Sequence, residues 1–201
     1  YLEHYFEDHS QLSMQYGPWR DGQLGLELTL PRCRWVSKLL WEGLATTDQT
    51  GPILYDGVGG TFTDLQMSGC DNYYNNGQFL GWQHWGQGMG HPFLPGPQYN
   101  ADGTNEFKSN RVRAHHVGLL GEPTEELAYR LLLSHVRHWG TYRKPLDRVR
   151  RQVSTYAEAT YSPRRLPGWS LALGVGIDGG DYLGASTGAM LTLKKTGIWT
   201  R

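Results

Sequence analysis

Near the end of the chain, two stretches alternate large apolar residues with small or polar ones at a period of two. Trp169, Leu171, Leu173, Val175 and Ile177 alternate with Ser170, Ala172, Gly174, Gly176 and Asp178. Leu183, Ala185, Thr187, Ala189, Leu191 and Leu193 alternate with Gly184, Ser186, Gly188, Met190, Thr192 and Lys194. Successive side chains of a strand point to opposite faces, so each stretch predicts a strand with one apolar face. Leu24, Leu26, Leu28 and Leu30 repeat the pattern, and Val153, Thr155, Ala157, Ala159 and Tyr161 form one face of another strand. Met14–Trp19, Trp35–Ala45 and Arg111–Leu120 also predict strands. Arg20-Asp21-Gly22, Gly121–Thr124, Ser162–Gly168 and Asp178–Asp181 read as turns, and Pro31–Cys33 as a tight connection. Thr141–Arg150 reads as a basic loop. Leu127–Trp139 fits a helix by composition, but strand neighbours and the lack of a helix cap at Gly140-Thr141-Tyr142 favour a strand.

One stretch, 46–110, shows no clean period. It holds the run Gly69-Cys-Asp-Asn-Tyr-Tyr-Asn-Asn-Gly77. A structureless connection of that length is uncommon in a compact domain, so the insert is expected to fold on or into its scaffold. Its aromatics include Tyr55, Tyr73, Tyr74, Phe79, Trp82, Trp85 and Tyr99. Its amides and acids include Asp71, Asn72, Asn75, Asn76, Asn100, Asp102 and Asn105. A sugar ring has an apolar face and a rim of hydroxyls, so flat side chains beside planar donors and acceptors suit it. The competing structural account is a self-packed plug, with the aromatics as a small core and Asn and Asp closing turns.

A soluble antiparallel sandwich and a transmembrane barrel both produce such alternation. Several segments reach the length of about 9–11 residues that a tilted membrane strand needs, whereas globular strands are more often about 5–6 residues. Tyr129, Trp139, Tyr161, Trp169, Tyr182 and Trp199 lie towards strand ends, where interfacial girdles place aromatic rings. The expectation is therefore an all-β fold, an antiparallel transmembrane β-barrel. This chain would supply about 8–9 strands and one long outer loop at 46–110. Counting turns back from the last strand puts that insert on the outer side, with the longer loops.

Composition constrains function mainly by exclusion. Formal net charge is zero and mean hydropathy is −0.55, so nothing points to nucleic acid. No apolar run is long enough for a membrane helix, which leaves a barrel open. Arg111, Arg113, Arg130, Arg137, Arg143, Arg148, Arg150 and Arg151 crowd the second half. They suit an acidic polymer or an internal network with Glu122, Glu125, Glu126, Asp147 and Glu158. His115 and His116 point to opposite strand faces, as do His135 and His138, so a shared metal is disfavoured. Ser134 beside His135, Ser109 near His115 and His116, and an Asp71–Asp102 carboxylate pair are the candidates for a hydrolase, but no GxSxG elbow accompanies them. Cys33 at an inner turn and Cys70 in the outer loop are expected not to pair with each other, and so to be free thiols or to have partners outside this segment.

Tyr1-Leu-Glu-His-Tyr-Phe-Glu-Asp-His9, Asp71-Asn-Tyr-Tyr-Asn-Asn76, Gly90-His-Pro92, Asn110-Arg-Val-Arg-Ala-His-His116 and His138-Trp-Gly-Thr-Tyr142 resemble the capsule assembly Wzi family of Bacteroidetes. That resemblance implies the C-terminal portion of an outer-membrane barrel of about 18 strands. It also implies a role in assembly or attachment of capsular or other surface polysaccharide; with the residue reading above, the expectation is a non-enzymatic protein without cofactor or metal. The partners it implies are the polysaccharide, outer-membrane lipid and other outer-membrane proteins. The glycan-contacting candidates are Asp71, Asn72, Tyr73, Tyr74, Asn75, Trp82, Trp85, Arg111 and Arg113. A barrel hydrolase or a diffusion channel is the alternative.

Overall fold

The computed structural model describes residues 1–5, 20–52, 69–75 and 81–197. The expected strand Met14–Trp19 and the residues Tyr55, Asn76, Phe79 and Trp199 lie outside the described residues. In chain order the strands are β1 (Leu2–His4), β2 (Gly22–Thr29), β3 (Lys38–Ala45), β4 (Gln83–His84), β5 (Gln87–Gly88), β6 (Val112–Gly121), β7 (Leu127–Gly140), β8 (Pro145–Tyr161), β9 (Trp169–Gly180) and β10 (Ser186–Lys195). A 3-10 turn spans Pro97–Tyr99, and no α-helix occurs among the described residues. Eight strands form one antiparallel sheet in the order β1-β2-β3-β6-β7-β8-β9-β10. β4 and β5 pair separately inside the insert. Among the described residues the large sheet does not close on itself, and β1 and β10 are its edges.

The all-β expectation holds, and Leu127–Gly140 is a strand rather than a helix. Two local expectations are corrected, and one strand is added. The basic stretch Thr141–Arg150 is a loop only as far as Lys144, because β8 starts at Pro145. Its first half carries polar side chains on both faces, so alternation could not reveal it. A proline at the first strand position removes no ladder hydrogen bond. The turn placed at Asp178–Asp181 falls instead between Gly180 and Ser186, because pairing with β8 and β10 carries β9 through Gly180. Finally, β2 takes β1 as its partner, with Leu2 opposite Leu24 and His4 opposite Gly22. No periodicity marks so short an edge strand.

Contacts group the chain into two compact units. The second comprises Gly25–Glu42, His115–His135 and Gln152–Arg201. Here β8, β9 and β10 lie in a register that separates two chemistries. Ala159, Leu173 and Leu191 are opposite one another, as are Tyr161, Leu171 and Leu193, and Ala157, Val175 and Ala189. The large members of this face are exposed: Leu173 is 53 % and Leu191 69 % accessible. The other face carries Glu158 opposite Gly174 and Tyr156 opposite Gly176. Arg130 Nε lies 3.0 Å from Glu158 Oε1, Tyr156 donates its hydroxyl to Glu158 Oε2 at 2.7 Å, and the Arg130 guanidinium sits 5.2 Å from the Tyr156 ring centre. Gly174 makes room for this group, since a Cβ there would lie 2.2 Å from the Tyr156 hydroxyl.

The first unit comprises Tyr1–Leu24, Gly43–Ala114 and Val136–Arg151. Its apolar core is small: Leu44, Leu94, Phe107, Val112, Ala114 and Val136, with Tyr5, Tyr74 and Phe93 packed against it. Strand and insert residues therefore share one core. The described residues of the insert pack into this core.

A methyl group at Gly174 must displace a phenol held by Glu158. Gly174→Ala should cost about 1–3 kcal/mol, as overpacking does, read as a lower thermal unfolding midpoint. Gly188→Ala meets nothing within 4 Å and should leave the midpoint unchanged. Equal midpoints for both variants would contradict this packing.

Candidate functional site

The insert is fixed to its scaffold mainly by polar side chains. Asp21, read from sequence as a turn residue, is a buried carboxylate. It accepts the backbone N–H of Asp48 at 2.9 Å, that of Gln49 at 2.7 Å, and the Tyr73 hydroxyl at 3.1 Å. Burial pushes its carboxyl above the ordinary carboxylate range, and these donors pull it back. His4 Nδ1 lies 2.7 Å from the Asp21 carbonyl oxygen, which ties β1 to the same point.

Next to it is a clamp of amides. Thr46 donates to the Asn110 carbonyl at 2.7 Å and accepts the Val112 N–H at 3.0 Å. Gln49 Nε2 donates to Asn110 Oδ1 at 3.1 Å. Asn110 Nδ2 in turn donates to Asn72 Oδ1 at 2.6 Å and to the Tyr73 carbonyl at 2.9 Å. Asn75 exchanges two bonds with Phe107: its amide donates to the Phe107 carbonyl at 2.9 Å, and its oxygen accepts the Phe107 N–H at 2.7 Å. This mimics a strand pair with one side chain. It satisfies backbone groups that irregular chain would otherwise bury unpaired. Thr46, Gln49, Ser109 and Asn110 are among the most buried side chains.

Two features of this unit face outward. One is a cleft of about 540 Å³ lined by Arg20, Thr47, Asp48, Arg111, Arg113 and Trp139. Arg20 pairs with Asp48 at 3.1 Å. Arg111 donates from Nε to the Thr47 carbonyl at 3.2 Å and lies 3.8 Å over the Tyr142 ring. Arg113 donates from Nε to Thr47 Oγ1 at 3.2 Å. Tyr142 donates to the Asp48 carbonyl at 2.9 Å. That bond secures the Asp48 backbone, and Asp48 holds Arg20. The guanidiniums of Arg113 and Arg137 lie 6.0 and 5.4 Å from the Trp139 ring centre.

The other is the β4–β5 hairpin. Trp85 and Gly86, at φ 53° and 80°, form its two-residue turn. Left-handed values at both turn residues match a type I′ turn, which suits Asn-Gly far better than Trp-Gly. A tryptophan there costs roughly 1–2 kcal/mol, yet its side chain is 89 % exposed. Trp82 and Met89 extend the hairpin, with Met89 N–H on the Trp82 carbonyl at 2.9 Å, and both are exposed. From below, Gln98 donates its N–H to the Gly86 carbonyl at 2.8 Å. The hairpin thus presents Trp82 and Trp85 on a braced backbone.

The sequence candidates divide accordingly. Asn72, Tyr73 and Asn75 direct their polar groups into the clamp, and Tyr73 is only 5 % exposed. Tyr74 packs 5.5 Å from the Phe107 ring, and Asp71 accepts the Thr50 hydroxyl. Trp82, Trp85, Arg111 and Arg113 stand at the surface features. Sequence reasoning missed Arg20, Thr47, Asp48 and Trp139 in the cleft, and Asp21, Thr46, Gln49 and Asn110 in the support. The one available signal was Arg111 and Arg113, two apart and so on one face of a strand.

The hydrolase candidates are arranged differently from expectation. Ser134 Oγ meets His116 Nδ1 at 2.8 Å, not His135, and Ser109 Oγ meets His138 Nδ1 at 3.3 Å, not His115 or His116. In a triad Nε2 faces the serine and Nδ1 the orienting acid. Lys108, then Thr104, hold the Asp102 carboxyl well below the carboxylate range, the wrong direction for a general acid. His115 stacks on Trp41 at 5.9 Å. No group of three metal-ligating side chains occurs among the described residues. Cys33 and Cys70 are free. No protein-family model, curated protein or solved structure matches the chain.

Asp21→Ala leaves two N–H groups and a phenol without their acceptor. It should destabilise the first unit by about 3 kcal/mol and speed proteolysis within 46–110. Proteolysis at the wild-type rate would show that the clamp does not depend on Asp21.

Proposed function

We propose that this chain forms part of an outer-membrane β-barrel that handles capsular or other surface polysaccharide, and that the insert makes the glycan contact. The observation that carries the glycan assignment is Trp85. A large aromatic is held almost fully in solvent on a backbone conformation that favours another residue. Strain of this kind gathers where a side chain has work outside the fold. Gln49, Thr50, Cys70 and Tyr74 also take positive φ, so such residues recur through the same insert.

Support for the membrane setting comes from the second unit. Leu171, Leu173, Val175, Ile177, Leu191 and Leu193 form an exposed apolar face, while the reverse face carries Arg130, Tyr156 and Glu158. Apolar outside and polar inside is the pattern of membrane barrels. An exposed apolar patch of this extent calls for a lipid or protein covering. The resemblance to the capsule assembly family points the same way. On this reading outer-membrane lipid covers the apolar face, and polysaccharide meets the Trp82–Trp85 hairpin.

Truncating a central aromatic contact costs about 2 kcal/mol or more. Trp85→Ala should therefore weaken retention of cell-surface glycan on immobilised protein roughly thirtyfold, and Trp82→Ala should weaken it in the same direction. Retention at the wild-type level in both variants would mean that the hairpin is not the contact.

A further inference from the structure

Among the described residues several arginines pair with carboxylates and others do not. Arg130 pairs with Glu158, Arg150 with Asp147 and Arg164 with Glu125. These are three separate ion pairs with exposed or partly exposed side chains, not one internal network. Arg111 and Arg113 belong to none of them. Among the described residues neither has a carboxylate in ion-pair reach, although both line the cleft with Arg20. Three guanidiniums there face the single carboxylate of Asp48, which is already engaged by Arg20. Both Arg111 and Arg113 spend Nε on Thr47. That fixes the plane of each fork and turns its terminal nitrogens to other use. A planar fork of this kind matches a carboxylate or phosphate in bidentate geometry. Trp139 adds a flat apolar wall, and about 540 Å³ falls within the range of about 300–1,000 Å³ usual for small-molecule sites.

We propose that this cleft binds the acidic group, a carboxylate or a phosphate, of a charged sugar residue, whose ring lies against Trp139. The inference rests on the polysaccharide reading above and narrows it to acidic glycans. Arg111 and Arg113 grip the anion, Thr47 orients both, and Asp48 opposes the anion while holding Arg20 in place.

The test uses the purified full chain and calorimetric titration with four probes: an oligogalacturonate, a phosphorylated oligomannose, a neutral galacto-oligosaccharide and inorganic phosphate. At least one acidic sugar should bind more tightly than the neutral one. Its affinity should fall as salt rises from about 50 to about 500 mM, as an exposed charge contact requires. Whichever acidic probe binds tighter identifies the group as carboxylate or phosphate. Arg113→Gln should weaken the acidic probe by about tenfold or more. Asp48→Asn should strengthen it, a change of opposite sign that loss of folding does not mimic. Equal affinity for acidic and neutral sugars, or inorganic phosphate binding as tightly as either acidic sugar, overturns the proposal. Retention of neutral sugar through Trp82 and Trp85, with no effect of Arg113→Gln, sinks the acidic-sugar inference and leaves the polysaccharide reading standing. If no sugar binds, both fail.

Discussion

A strand sends neighbouring side chains to opposite faces, and in the second unit both faces are committed. The register aligns Leu171 with Leu193 and Leu173 with Leu191 on one side, and Glu158 with Gly174 on the other. A slip of β9 by one residue would drive Leu173 into the place of Gly174, against Tyr156. The polar side is stabilised by the Arg130–Glu158–Tyr156 group. Among the described residues nothing covers the apolar side. Its demand for an apolar surrounding is what the proposed membrane setting answers.

The first unit solves a different problem. A long irregular segment must bury backbone polar groups without a ladder to satisfy them. Among the described residues its buried apolar cluster holds six side chains, and polar side chains complete the packing. Asp21, Thr46, Asn75 and Asn110 supply the missing partners by side chain, and Asn72 accepts the Asn110 and Asn75 amides beside them. The consequence is a rigid support for what lies outside it. Arg111 follows Asn110 directly and Asp48 precedes Gln49, so residues of the clamp fix the backbone of the cleft.

Much of the fold was legible because alternation is a direct imprint of a two-faced sheet. β2 and β9 announce themselves by large aliphatic residues at every second position, and β10 by Leu191 and Leu193 following Thr187 and Ala189 at the same spacing. β7 needed its neighbours to be read as strand, since Leu131, Leu132 and Leu133 break the period. β1 and the first half of β8 carried no pattern at all, because their pairing is set by tertiary context and turn position. In the insert, sequence could identify residues able to bind sugar but not which way they point. Asn72 and Asn75 have the same chemistry whether they meet a hydroxyl or a neighbouring peptide, and the structure turns them inward. Trp82 and Trp85, equally able to form a core, are turned outward. The cleft joins Arg20 to Trp139, residues far apart in the chain, and no local motif records such a meeting.

The central claim is that the exposed row of β9 meets lipid while the alternate row meets a polar interior. A nitroxide scan along residues 170–177 tests it most directly, in protein reconstituted into bilayers with Cys33 and Cys70 replaced by serine. Collisions with oxygen dissolved among acyl chains should peak at Leu171, Leu173, Val175 and Ile177 and dip at Ala172, Gly174 and Gly176. If a water-soluble nickel chelate instead reaches Leu171, Leu173 and Val175 freely, that face lies in water and the membrane assignment is wrong.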